Sequence, residues 1–286
     1  IVVGRESVVK AKLKEAGLGD AVAEIEIVNA ATTPHLDTYK EYLYNRLQRK
    51  GFDQTDVLRL AGRDRHVFGS LMLAHGHGDG LVTVVTRKSA HVLELINHVY
   101  DVGPHDGAVG VTAVLSKGKI VLISDTLVHE WPNENDLADI AERAAGVARA
   151  LGLEPRVAFV SFSTFGYPIS ERAEKMRIAP RVLAKRGVDF EFEGEMAVDV
   201  ALNIKEMRKY PFSRLSGPAN ILVVPARHSA SISVKLLQEM GGIEAQGPVL
   251  LGMKKSVHIL QMGSSVKEIV DMVRLAVVDA QNKSHE

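Results

Sequence analysis

Over residues 137–281 the chain alternates short apolar runs with longer amphipathic segments, and this alternation restricts the fold more than any other feature. A helical pattern over 137–151 leads into a strand over 156–161 that ends in SFSTFG. Next come a helix over 170–186, with Pro180 inside it as a kink or break, a short strand at Phe190 and Phe192, and a helix over 196–202. A buried strand over 221–224, a helix over 229–240 stopped by Gly241-Gly242, and a last helix over 266–281 complete the series. In that last helix Ile269, Met272, Val273 and Val277 share one face. Strands separated by helices cannot pair as hairpins, so the expectation is an α/β fold with a mostly parallel sheet covered on both faces.

The residues ahead of this series read differently. After the strand-like IVVG, a helical spacing of Val8, Val9 and Leu13 covers 5–16, and a short strand covers 25–28. Tyr39, Leu43 and Leu47 mark a helix over 38–50, and 53–60 and 66–75 read as two more. A turn in GDGLVTVV precedes a strand over 81–85, and Ser89 caps a helix over 90–100. Alternation at Val109, Val111, Ala113 and Leu115, the turn SKGK and the return at 120–123 describe a hairpin. The polar HEWPNEND then places a domain boundary near Asn133.

Composition closes off several function classes. Lys plus Arg and Asp plus Glu are equal at 35 each, so no net field draws in nucleic acid or an anionic membrane. The absence of cysteine excludes disulfides, thiolate metal sites and a Cys nucleophile, and fits a reducing, cytoplasmic setting. No apolar run reaches a membrane span and no signal peptide is present. A chain that opens inside a strand without Met reads as a piece of something longer.

Several constellations carry possible chemistry. His75, His77 and Asp79 in HGHGDG offer metal-ligand types, but nothing else has the spacing of a complete site, so the stretch reads as a Gly-rich turn and no metal is expected. The acidic DFEFEGE reads as a strand with one wet face. Two strand-to-helix turns are better placed, because ligands gather at the carboxyl ends of strands in α/β sheets. One holds Ser161, Ser163 and Thr164; the other holds Arg227, His228, Ser229 and Ser231. A third turn, at Gly263, feeds the last helix, whose first turn offers unpaired N–H groups.

EIVNAA, FGSLMLAHGHGDGLV, PRVAFVSFSTFG, FEFEGEMAVDVALN, SGPANILVVPARHSASISVKLLQEMGG and GPVLLGMKKSVHILQMGSSVKEIV follow in the order seen in phosphate acetyl/butyryltransferases, which the whole chain resembles. The resemblance implies a two-domain α/β fold of mostly parallel sheets flanked by helices, the last helix returning to the first domain, so that 1–133 with 264–286 form one domain and 134–263 the second. It also implies homodimers and transfer of an acetyl group between coenzyme A and phosphate. Active members carry Ser-Arg-Gly at the Gly263 turn and an acidic pair a few residues on. There the arginine grips phosphate, the serine assists the transition state, and the second acid takes the thiol proton, which at a pKa near ~8.5 needs a base. This chain has Gln261, Met262 and Gly263, followed by Lys267 and Glu268. Only Glu268 survives, at the base position. Losing one such electrostatic group costs roughly 10²–10³ in rate, so no catalytic residue is assigned.

The Thr86-Arg87 pair, FSTFG and LVVPARHSASI are similar to the C-terminal domain of bacterial hybrid malic enzymes. That resemblance implies an attached N-terminal malic enzyme region that converts malate to pyruvate and CO2 with NADP and a divalent metal. It further implies a C-terminal domain that supports oligomerisation and binds acetyl-CoA as an inhibitor. Arg87, Ser161, Ser163, Thr164, His228, Ser229, Gln261, Met262, Gly263 and Glu268 are the expected acetyl-CoA contacts, Arg87 meeting either a coenzyme phosphate or only a surface partner. Two alternatives stay open. One is an active transferase using Glu268 with Lys254 or Arg227; the other is a purely structural oligomerisation scaffold.

Overall fold

The computed structural model describes residues 1–83, 89–101, 107–116, 118–261 and 263–284, which fall into two compact units. The first comprises Ile1–Asp101, Lys254–His258 and Met262–Glu286, the second Val102–Met253 and Ile259–Gln261.

In chain order the first unit begins with β1 (Val2–Val3), α1 (Glu6–Glu15), β2 (Ile27–Val28), α2 (Leu36–Leu47), α3 (Gln54–Arg63), α4 (Arg65–Ala74), β3 (Gly80–Thr83) and α5 (Ser89–Asn97). Tyr39, Leu43 and Leu47 from α2 are buried with Val57 and Ala61 from α3 and Val67, Phe68 and Leu71 from α4. Asp53 opens α3 with a capping box and the Asp64 side chain accepts from two amides of α4, so consecutive helices turn sharply with their first N–H groups paired. The expected strand over 81–85 is described as far as Thr83; Val84 and Val85 lie outside the described residues.

The second unit contains β4 (Val109–Ser116), β5 (Lys119–Ser124), α6 (Glu134–Ala150), β6 (Arg156–Val160), α7 (Glu171–Arg186), β7 (Glu191–Met196), α8 (Val198–Leu202), α9 (Ile204–Met207), β8 (Ile221–Val223), α10 (Arg227–Gly241) and β9 (Glu244–Leu251). Its six described strands lie in the order β7-β6-β8-β5-β4-β9. β5, β8, β6 and β7 run parallel, while β4 pairs antiparallel with both β5 and β9. Both faces are dry. Leu122, Val157, Phe159, Ile221 and Val223 pack under α6 and α7, whereas Ile123, Ala158, Val160, Leu222 and Val224 pack with residues of α8, α9 and α10. Strand residues that alternate between two helix layers must be apolar on both sides, which explains the continuous apolar runs of the sequence.

Four readings need correction. The boundary expected near Asn133 falls after Asp101, because the β4–β5 hairpin is hydrogen-bonded into the sheet of the second unit through β8 and β9. Pro180 sits inside an unbroken α7. Met196 ends β7, so the following helix starts at Val198. The acidic strand is wet only at its start: Glu191 is partly exposed, but Glu193 and Glu195 are both buried.

The chain closes with β10 (Ser256–Ile259), which pairs with β3, and α11 (Val266–Ser284), which packs on β3. Met272, Ala276 and Ala280 form the buried stripe of α11, while Val273 and Val277, expected on that face, are 45% and 51% exposed. The stripe steps by four from Met272, and small alanines let the helix approach the sheet closely. No described helix is long and apolar enough to cross a membrane.

Within the first unit a charged cluster holds α11 to β10. Asp279 Oδ2 is 2.7 Å from Lys283 Nζ and 3.5 Å from His258 Nε2, and Ser256 Oγ donates to the Ala276 carbonyl at 3.0 Å. Burial opposes ionisation of Asp279, but bonds from His258, Lys283 and Ser256 outweigh it and hold the carboxyl well below the ordinary aspartate range. A depressed folded-state pKa contributes stability that is complete above the unfolded value of about 3.9 and is lost as pH falls through the folded value. Asp279→Asn is expected to lower stability at pH 7 by about 1–2 kcal/mol and to flatten the acid limb below about pH 4. Thermal melts of both proteins between pH 7 and pH 3 measure this; equal losses at every pH would contradict it.

Candidate functional site

The parallel strands of the second unit end along one edge, and their connections leave to opposite faces. β6 leads to α7 on the α6 side of the sheet, whereas its neighbour β8 leads to α10 on the other side. Adjacent strands with divergent exits leave a crevice between their end loops, the usual ligand position in such sheets. The β6 loop holds Ser161, Ser163 and Thr164, and the β8 loop leads to His228 and Ser229.

A buried carboxylate organises the β6 loop. Glu195, 1% exposed near the end of β7, accepts from Ser163 Oγ at 3.1 Å and from the Gly166 amide at 2.7 Å. Ser161 Oγ lies 3.3 Å from Ser163 Oγ, and Thr164 Oγ1 accepts from the Ala197 amide at 3.1 Å. Ser163 and Thr164 are thus occupied in building the loop. α7 starts at Glu171, seven positions after Thr164, so these hydroxyls do not cap that helix. Sequence reading assigned DFEFEGE to a solvated strand; the Ser-x-Ser turn, with hydroxyls in need of an acceptor, was the available signal for Glu195. Its Oε2, like Ser124 Oγ at the end of β5, is buried without a hydrogen-bond partner among the described residues. Such atoms cost about 1–3 kcal/mol each and mark where a further polar group would be accommodated.

The loop after β5 is held more tightly still. Asp125 Oδ1 accepts from the amides of Gly110, Leu127 and Val128, and Oδ2 accepts from the His129 amide at 2.8 Å and pairs with His129 Nδ1 at 2.5 Å. Gly110 is required here, since a Cβ would come within 2.5 Å of the Leu127 side chain and 3.0 Å of Asp125 Oδ1. The His129 carbonyl then accepts from the Arg227 amide, and Arg227 Nη2 meets Glu130 Oε2 at 2.9 Å. From α7, Lys175 Nζ donates to the carbonyls of Pro132 and Pro225, both at 3.0 Å. Burial pushes the Lys175 amine below the usual lysine range, with nearby Asp136 opposing the shift. Of these groups only Arg227 was singled out from sequence, and its pairing with Glu130 was not, because the partners are 43 and 50 residues away for Lys175 and 97 for Arg227.

The remaining expected contacts fall elsewhere. His228 and Ser229 are exposed on the first turn of α10. Gln261 belongs to the second unit, and Gly263, at φ +90°, to the first. Arg87 and Met262 lie outside the described residues. Glu268 is engaged as a helix cap: its Oε2 accepts from the Ser265 amide at 2.6 Å and from Ser265 Oγ at 2.9 Å, and Ser265 Oγ accepts from the Glu268 amide at 3.3 Å. This reciprocal box satisfies amides at the start of α11. The histidines of HGHGDG pack around an aromatic side chain, with His77 Nδ1 2.5 Å from Tyr39 OH and the His75 ring 4.8 Å from the Tyr39 ring.

Glu195→Ala leaves Ser163 and the Gly166 amide without their acceptor in a closed site. It is expected to destabilise the second unit by about 2–4 kcal/mol, whereas Glu195→Gln, which keeps an acceptor oxygen, loses under about 1 kcal/mol. Urea unfolding of the two variants separates them, and equal midpoints would contradict the account.

Comparison with known proteins adds an independent line. A family model described as phosphate acetyl/butaryl transferase matches residues 1–277. The NADP-dependent malic enzyme of Rhizobium meliloti is 46% identical over 280 residues, which cover 98% of this chain and 37% of that protein. The phosphate acetyltransferase of Thermoanaerobacterium thermosaccharolyticum is 30% identical over 280 residues, 94% of this chain and 85% of that protein. A phosphotransacetylase structure from Streptococcus pyogenes aligns with a TM-score of 0.85 at 26% identity, covering 99% of this chain and 86% of that one. The chain therefore spans little more than a third of the malic enzyme and most of the two transferases. With a match over nearly its whole length and the strand order described above, the chain belongs to the phosphate acetyl/butyryl transferase family.

Proposed function

We propose that this chain is a phosphotransacetylase-like domain that binds acetyl-CoA without transferring the acetyl group, and that it regulates an attached N-terminal malic enzyme region in the cytoplasm. The parent activity in this reading is the NADP- and divalent-metal-dependent conversion of malate to pyruvate and CO2. The observation that carries the proposal is the fate of the Gly263 turn. Gln261 and Met262 stand where active members of the family hold serine and arginine, and Glu268, at the base position, is committed to the Ser265 cap. Met has no charge with which to clamp phosphate, and the Glu268 carboxylate is turned to Ser265 at the start of its own helix. The strand-end loops of the second unit are nevertheless held in place by buried, hydrogen-bonded groups, which favours retained binding. Similarity to NADP-dependent malic enzymes much longer than this chain supports the attached region. Exposed Ile232, Leu236 and Met240, spaced by four on α10, support a homodimer or higher homo-oligomer.

Acetyl-CoA at 100 times its Kd is expected to raise stability by about 2.7 kcal/mol, visible as a higher Tm. A coupled assay with acetyl-CoA and phosphate should show no turnover above background. An unchanged Tm at saturating acetyl-CoA sinks the binding proposal and leaves the scaffold reading. Turnover restores the transferase reading suggested by the phosphate acetyltransferase relatives, and Gln261→Ser with Met262→Arg then measures how much of the lost machinery limits the rate.

A further inference from the structure

Trp131 is the only tryptophan of the chain and stands 85% exposed on the loop after β5. An indole carries one of the largest apolar surfaces of any side chain, so leaving it in water forgoes its burial energy. The backbone that presents it is tied on both sides. Ahead of it, the His129 amide donates to Asp125, the His129 carbonyl accepts from the Arg227 amide, and Glu130 pairs with Arg227. Behind it, the Pro132 carbonyl receives Lys175 Nζ, and Asn133 caps α6 by accepting from the amides of Asn135 and Asp136. The ring therefore projects from a pre-ordered segment at the carboxyl end of a parallel strand, and a ligand that stacks on it need not first order the loop. The same ties join this loop to the β8 loop, where His228 and Ser229 are exposed and provide hydrogen-bond donors.

We propose that Trp131 is a stacking platform for the purine ring of an adenine nucleotide, with Lys175 as the positioning residue that fixes its loop. The proposal rests on the acetyl-CoA reading only for the identity of that nucleotide. An indole face suits any planar heteroaromatic ring, and adenine is the planar ring that coenzyme A carries. Phosphate groups next to the ring then meet the donors of the β8 loop, while the thioester end lies away from Trp131.

Because the chain has one tryptophan, its emission reads this residue directly. Titration with acetyl-CoA and with adenosine 3′,5′-bisphosphate should quench it, whereas S-acetylpantetheine, which lacks adenine, should not. Trp131→Ala is expected to weaken acetyl-CoA binding in calorimetry by about five- to tenfold, with Trp131→Phe recovering some of the loss. Lys175→Met should lower the emission anisotropy of the ligand-free protein, a readout that a role confined to global stability would not move. If acetyl-CoA binds without quenching and with the same affinity for Trp131→Ala, the platform is overturned and the acetyl-CoA reading stands. Quenching by the bisphosphate when acetyl-CoA fails to bind upholds the platform and overturns that reading. Absence of binding by any of the three overturns both. An emission change that follows protein concentration instead of nucleotide assigns Trp131 to self-association and overturns the platform.

Discussion

The carboxylate of Asp125 is the interaction on which the strand-end edge of the second unit depends. It is buried and accepts from four backbone amides and one imidazole, so the turn after β5 has one permitted shape. A buried charge is tolerated only when this fully bonded. The shape then propagates: the His129 carbonyl receives the Arg227 amide, which sets the start of α10, and Lys175 joins the β5 and β8 loops through two proline carbonyls. Proline has no N–H to offer, and its carbonyl remains free to accept.

Glu195, on the strand next to β6, has the equivalent role for the β6 loop. Here a carboxylate supports a hydroxyl and an amide, and those bonds shape the loop. The residue types that make SFSTFG look like a phosphate cradle are the same ones that satisfy a buried acid. Only the partner across 32 positions distinguishes the two uses. Glu268 repeats the lesson at the start of α11, where an acid close to the Gly263 turn serves as a helix cap. Helix capping and loop support draw on the same carboxylates that catalysis does.

Much of the architecture was legible beforehand. Tyr39, Leu43 and Leu47 announced α2 by spacing alone, and the double-sided strands of the sheet announced themselves as unbroken apolar runs. Errors clustered where tertiary pairing overrides local pattern. The β4–β5 hairpin reads as the end of a first domain until its edges are seen bonded to β8 and β9. Val273 and Val277 are as apolar as Met272, and periodicity by itself does not say which of two overlapping stripes on α11 meets β3.

What the sequence determined by itself was the alternation of elements and the family. These are properties of residue identity and order, which a chain carries whether or not it is folded. What only the tertiary structure decided was the employment of side chains with distant partners: Glu195 to a loop and Lys175 to the strand-end edge, with Trp131 left to the solvent. Burial and hydrogen bonding depend on partners tens of residues away, and proximity between such partners exists only after the sheet has formed.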